Sequence, residues 1–312
     1  MLKQVIEILD ILDDAGASGE KVKSLLNERG LNDITVKQVE GEKKYKTDFM
    51  KIVIKGKHGK ISGGDAPTLG IIGRLGGLGA RPQMTGFVSD GDGAAAVLSA
   101  ALKLADMNRK GDALKGDVII CTHVCPDAPT QPHDPVPFMG SPVNMQTMNE
   151  MEVDNRMDAI LSIDTTKGNR LFNKKGFAIT PTVKDGYILR VSDSLLDIMQ
   201  IVTGENPATF PITLQDITPY GNGLYHVNSI LQPSIATSSP VAGIAITSQS
   251  MVPGCATGAY HEADIESAGK FAVEVAKKFG EGKCSFYDEK EWDKIIQLYG
   301  SMSKFRTLGV NK

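Results

Sequence analysis

Cysteine is scarce and poorly spaced for structural work. Four residues, Cys121, Cys125, Cys255 and Cys284, include no CxxC pair, which argues against a zinc knuckle and a disulfide framework. There is no basic excess either: 34 Lys and Arg face 37 Asp and Glu, for a net charge of −3. A nucleic-acid footprint is therefore not indicated. No apolar run approaches a membrane span, so no membrane partner is expected. Met1 to Leu12 alternates charge with Leu and Ile. It reads as an amphipathic helix without the apolar stretch of a signal peptide, and a cytoplasmic location is the expectation. What remains is a soluble-type chain of 312 residues, 41% hydrophobic, long enough for a substantial core. Its 33 glycines point to many tight turns and close backbone approaches.

Strand and helix signals alternate along the chain. Residues 2–13 and 19–29 have helical periodicity, with Ser18 an N-cap for the second. Residues 49–55 alternate as a half-buried strand. Three short apolar runs, 68–73, 116–122 and 159–164, read as buried strands, and 241–247 is a fourth. Residues 177–191 form a hairpin pattern turning at Asp185-Gly186. Helices are expected at 93–107, 194–202, 264–279 and 288–299. No linker or repeat divides the chain. The reading is one α/β domain over residues 1–312, three-layered α/β/α with a mostly parallel central sheet.

Chemistry-bearing residues gather where buried strands end. Thr85 to Leu104 opens on Asp90 and Asp92, bracketed by Gly86, Gly91 and Gly93, and runs into an Ala- and Leu-rich helix. Such a carboxylate either caps the helix or points into a cleft. Asp127 follows the strand at 116–122, and Asp164 ends the strand at 159–164. Acids at the carboxyl ends of parallel strands can meet on one sheet edge, and they repel unless protonated or sharing a cation. With His123, His133 and His261 available, hard oxygen ligands and imidazoles suit a divalent metal. The loop Arg74 to Pro82 is rich in glycine but lacks the ending of a P-loop and the dinucleotide spacing, so nucleotide binding is set aside. Arg74 and Arg81 remain as carboxylate contacts, joined by Asn222 in the irregular segment 211–228. A nucleophilic Cys125 beside His123 is a further reading with little geometric support.

Four stretches in order carry a resemblance: ASGEKVKSLL, SDGDGAAAVLSAALKL, GDVIICTHVCPD and AILSIDTT, followed by ADIESAGKFAVEVAKKF. Together they resemble the co-catalytic zinc aminopeptidase superfamily, which includes glutamyl and deblocking aminopeptidases and related amidohydrolases. More closely, APTLGIIGRLGGLGARP, CPDAPTQPHDPVPFMGSP and ITPYGNGLYHVNSILQP resemble an uncharacterised prokaryotic family, domain of unknown function 1177. The wider resemblance implies a zinc-aminopeptidase-like (phosphorylase/hydrolase-like) fold, a homo-oligomer, and a zinc or manganese cofactor. It places Asp90 on the metal-bridging aspartate and Asp164 on an aspartate ligand.

The chain also departs from that pattern. Arg74 and Leu75 stand where the first histidine ligand is expected. Pro126 falls on the general-base glutamate and Asp127 on its metal-binding neighbour. Gly254 and Cys255 stand near the last histidine, with His261 out of register. The gap between Arg74 and Asp90 leaves no room for a lid domain. Two readings follow. One is a metal-dependent hydrolase of a small peptide or amide bond, with ligands drawn from Asp90, Asp127, Asp164, His123, His133 and His261 and a base from Asp127, Asp134 or Glu262. The other is an inactive relative that binds a small carboxylate ligand, such as an amino acid or dipeptide, through Arg74.

Overall fold

The computed structural model describes residues 1–41, 45–74, 86–126, 128–212 and 228–306. Two helices open the chain, α1 (Leu2–Leu12) and α2 (Gly19–Glu28). The Ser18 hydroxyl accepts from the Lys21 N–H, the cap its sequence position implies. Strands β1 (Ile34–Glu40), β2 (Lys46–Ile54) and β3 (Thr68–Gly73) lead to α3 (Asp92–Arg109) and β4 (Asp117–Val124). A two-residue pair, β5 (Thr130–Gln131) and β6 (Phe138–Met139), precedes α4 (Met145–Glu152) and β7 (Ala159–Thr165). Then come β8 (Gly176–Lys184), β9 (Tyr187–Ile188), α5 (Asp193–Thr203) and β10 (Val241–Thr247). The last helices are α6 (Glu262–Gly280) and α7 (Glu289–Tyr299).

Eight strands form one sheet in the order β1-β2-β4-β3-β7-β10-β8-β9. It is mixed rather than mostly parallel. The central strands β4, β3, β7 and β10 run parallel, while β2, β1, β8 and β9 add antiparallel flanks. The expectation followed the apolar runs of the central strands, which are buried on both faces; the flanking pairs leave no such mark. The β8–β9 hairpin turns at Asp185 (φ 47) and Gly186 (φ 84), both left-handed as a tight hairpin turn requires.

One face of the sheet packs Leu69, Ile71, Ile120, Leu161 and Ile244 against α1, α3 and α6. Side chains such as Leu102 and Phe271 there are fully buried, each burial stabilising by about 1.5–3 kcal/mol. Ile72, Ile119 and Ile160 point to a second cluster with Met157, Phe210, Ile230 and Leu231. No helix among the described residues is long and apolar enough to cross a membrane.

The entrance of α3 is tied to the sheet edge. A Cβ on Gly93 would lie 2.6 Å from the Ile163 carbonyl and 2.9 Å from that of Arg74. Only a residue without one lets the helix start sit against the ends of β3 and β7. This brings Asp90 and Asp92 to the carboxyl edge of the central strands.

Candidate functional site at the carboxyl ends of the parallel strands

β3, β4, β7 and β10 all deliver their following residues to the same edge, and two buried ionic networks lie there. The first begins at Arg74, immediately after β3. Its Nη1 lies 2.7 Å from Glu152 Oε2 and 3.4 Å from Asn149 Oδ1, and its Nη2 rests against Met145 Sδ. All three partners belong to α4. The other carboxylate oxygen of Glu152 lies 2.8 Å from His123 Nδ1, on β4. The His123 ring packs on Phe49, its register partner on β2, at a centroid distance of 5.1 Å. Glu152 thus joins β3 to β4, and Arg74, His123 and Glu152 are each 2% exposed or less. A carboxylate bound to a guanidinium on one side and an imidazole on the other is locked in place.

The second network surrounds Lys167, three residues beyond Asp164. Its ammonium donates to Asp92 Oδ2 and, at 3.3 Å, to the Ala259 carbonyl. Lys167 and Asp92 are both buried. Asp92 is the first residue of α3 and its carboxylate makes no cap; it is committed to the lysine. Burial pushes Asp92 up to about 7 even with the Lys167 ammonium against it, and the neighbouring Asp90 and Asp264 carboxylates push the same way. Its Oδ1 is buried with no hydrogen-bond partner among the described residues. Asp264, in the first turn of α6, is also raised by burial, opposed by His261, Lys167, Lys175 and the Gly176 N–H.

Asp90 sits in the single helical turn before α3. Its Oδ2 accepts from the Met139 N–H at 3.3 Å. Its own N–H donates to the Gly254 carbonyl at 3.1 Å, and the Ser89 hydroxyl donates to Pro253 at 2.7 Å. A Cβ on Gly254 would fall 2.0 Å from Asp90 Oδ2, so the backbone reaches the carboxylate only because residue 254 is glycine. Burial raises Asp90 to about 6, with the Met139 N–H and Lys167 acting against the rise.

Asp164, the penultimate residue of β7, is buried and accepts from the Thr165 N–H at 2.7 Å. Asp134 is largely exposed and pairs with Arg170 at 2.9 Å. His261 and Glu262 lie exposed at the start of α6. The Cys125 thiol is buried and directed to the Lys46 carbonyl at 3.5 Å, while His123 is held by Glu152. Asp127, Arg81 and Asn222 lie outside the described residues.

Glu152 carried no sequence signal of its role, being 78 residues from Arg74. The helix bearing it was detectable: Asn144 caps it through Thr147 N–H, and Met145, Met148 and Glu152 follow at helical spacing. Lys167 was visible beside Asp164, but its partner Asp92 is 75 residues away.

Among the described residues, the donors do not suit a co-catalytic zinc or manganese pair. Arg74 stands at the strand end of the first expected ligand with its charge met by Glu152, and His123 is bound to that same carboxylate. Carboxylate-paired imidazoles do occur as metal ligands, but here the carboxylate is shared with a guanidinium. Asp92 faces an ammonium, a cation that repels a second one. Among the described residues, no three His, Cys, Asp or Glu side chains converge as ligands.

The fold is shared with a solved structure, that of the "Bottromycin maturation enzyme BotP". It aligns at a TM-score of 0.53 and 17% identity, covering 90% of this chain and 70% of the other. The Legionella pneumophila LapA aminopeptidase aligns at a TM-score of 0.49 and 14% identity, over 92% of this chain and 70% of its own. The chain itself belongs to the family described as "Protein of unknown function (DUF1177)", whose model matches residues 37–309. No curated protein matches it in sequence.

Proposed function

We propose that this chain is a single-domain, lidless member of the zinc-aminopeptidase-like fold whose cleft binds a small amine-bearing ligand, an amino acid or short peptide, without a resident metal. The observation that carries this reading is the imbalance of charge around Lys167. Asp90, Asp92 and Asp264 are each 5% exposed or less; Lys167 is the buried cation acting on all three, and the exposed His261 and Lys175 act on Asp264 as well. Carboxylates in low dielectric gain most from a further cation, and the ammonium of an amino acid or peptide supplies it. Arg74 is held by Glu152 and is not offered to a ligand carboxylate.

The test is thermal unfolding with a panel of free amino acids and dipeptides, with and without chelator. A ligand at 100 times its Kd stabilises by about 2.7 kcal/mol, and each 1 kcal/mol raises Tm by roughly 2–4 °C in a chain of this size. The expected result is such a rise, indifferent to chelator and lost in Asp90→Asn. No stabilisation across the panel overturns the reading, as does stabilisation that chelator removes. A second reading, a zinc- or manganese-dependent hydrolase of a small peptide or amide bond, is favoured by the burial of Asp90 and Asp164 at this edge. Elemental analysis separates the two. One or two metal ions per chain, lost in Asp90→Ala with Asp164→Ala, would establish the second.

A further inference from the structure

The oxygens that hold the Lys167 ammonium are of the kind that hold hard cations. The Lys167 ammonium is bound by Asp92 Oδ2 and by the Ala259 carbonyl at 3.3 Å. Carboxylate and carbonyl oxygens are the donors that Mn²⁺, Mg²⁺ and Ca²⁺ prefer. The second oxygen of Asp92 is buried and has no hydrogen-bond partner among the described residues. Such an atom costs free energy where it stands, and it is a donor position already desolvated. The ammonium also acts on the Asp90 and Asp264 carboxylates. The Lys167 and Asp92 side chains are 1% and 0% exposed, so solvent does not screen the pair.

We infer that Lys167 is a built-in counter-cation that keeps divalent metal out of this acid pocket, and that shortening it turns the pocket into a divalent-cation site. The inference deepens the metal-free reading of the same cleft. An ammonium held by the chain is always present and needs no metal supply. It brings one positive charge where a divalent ion brings two, and leaves one oxygen of Asp92 without a partner among the described residues.

The experiment is titration with Mn²⁺ alone, followed by calorimetry and thermal unfolding, on the wild type, Lys167→Ala, Lys167→Arg, and Lys167→Ala combined with Asp92→Asn. Lys167→Ala is expected to bind one Mn²⁺ at least roughly tenfold more tightly than the wild type and to gain Tm when Mn²⁺ is added. Lys167→Arg, which keeps the charge, should behave as the wild type, and the double variant should lose the gain. A folded Lys167→Ala protein that binds Mn²⁺ no better than the wild type overturns the inference. If Lys167→Ala does not fold alone, its refolding yield decides: recovery by Mn²⁺ but not K⁺ supports the inference, and no recovery overturns it. Wild-type metal abolished by Asp92→Asn would also overturn it, because the lysine would not be excluding anything. Wild-type metal lost only in Asp90→Ala with Asp164→Ala sinks the metal-free function instead, and the increment in Lys167→Ala still decides the role of Lys167.

Discussion

The two ionic networks at the sheet edge are built from the same kinds of group and balanced differently. Under α4, one guanidinium and one carboxylate cancel, and His123 takes the remaining carboxylate oxygen. At the entrances of α3 and α6, the buried Lys167 ammonium acts on three buried carboxylates, with the exposed His261 and Lys175 near one of them, and an oxygen of Asp92 is left without a partner among the described residues. The first network is balanced in charge, with only the neutral Asn149 Nδ2 left without a partner among the described residues, and it joins β3, β4 and α4. The second holds more buried carboxylates than buried cations, and burial raises all three of them.

Glu152→Ala tests the first network and carries the largest expected effect. It leaves the Arg74 guanidinium buried without its counter-charge, which costs about 3–5 kcal/mol; denaturant unfolding should show a lower midpoint at unchanged slope. The second network should answer to pH. Asp90 and Asp92 keep their protons up to about 6 and about 7, above the roughly 4 of an unfolded chain. The folded state therefore binds more protons, and the stability this brings is complete below about pH 4 and lost as pH rises through 6 to 7. Unfolding free energy should fall by something on the order of 3 kcal/mol between pH 5 and 8, a trend weakened in Asp92→Asn. Asp154 acts oppositely: the Arg156 side chain holds it well below the carboxylate range, so its contribution disappears only in acid. A flat profile from pH 5 to 8 would show that the acids around Lys167 are not strained by burial. The smallest effect is expected at Asp134, whose pair with Arg170 lies at the surface. Asp134→Ala should leave the melting curve within error.

Much of the scaffold was legible because each element declared itself locally. The apolar runs at 68–73 and 241–247 are β3 and β10 residue for residue, Ser18 caps α2, and Asp185-Gly186 turns the hairpin. β1, α4 and the short helix Ser229–Ile235 were not anticipated. β1 exposes most of its residues in no clean alternation, and α4 is only eight residues long. Of the three acids expected to meet, Asp127 lies outside the described residues. Asp90 and Asp164 are buried at the expected edge. The partners that decide their chemistry were not legible, since Arg74 with Glu152 and Lys167 with Asp92 are long-range pairs that no local spacing encodes. Arg74 was read as a ligand contact because an arginine in a glycine-rich loop resembles an anion cradle; the carboxylate it holds is the chain's own.

The backbone bonds joining residues 86–90 to 253–258 bear on movement at the site. Ser89 N–H reaches the Ala256 carbonyl, Asp90 N–H that of Gly254, and Gly258 N–H that of Phe87, with Val88 bridging Thr257. The two segments are zipped together across more than 160 residues of chain. The loop after β10 is therefore tied by its backbone to the turn that carries Asp90, and a displacement of either that keeps these bonds moves the carboxylate with it.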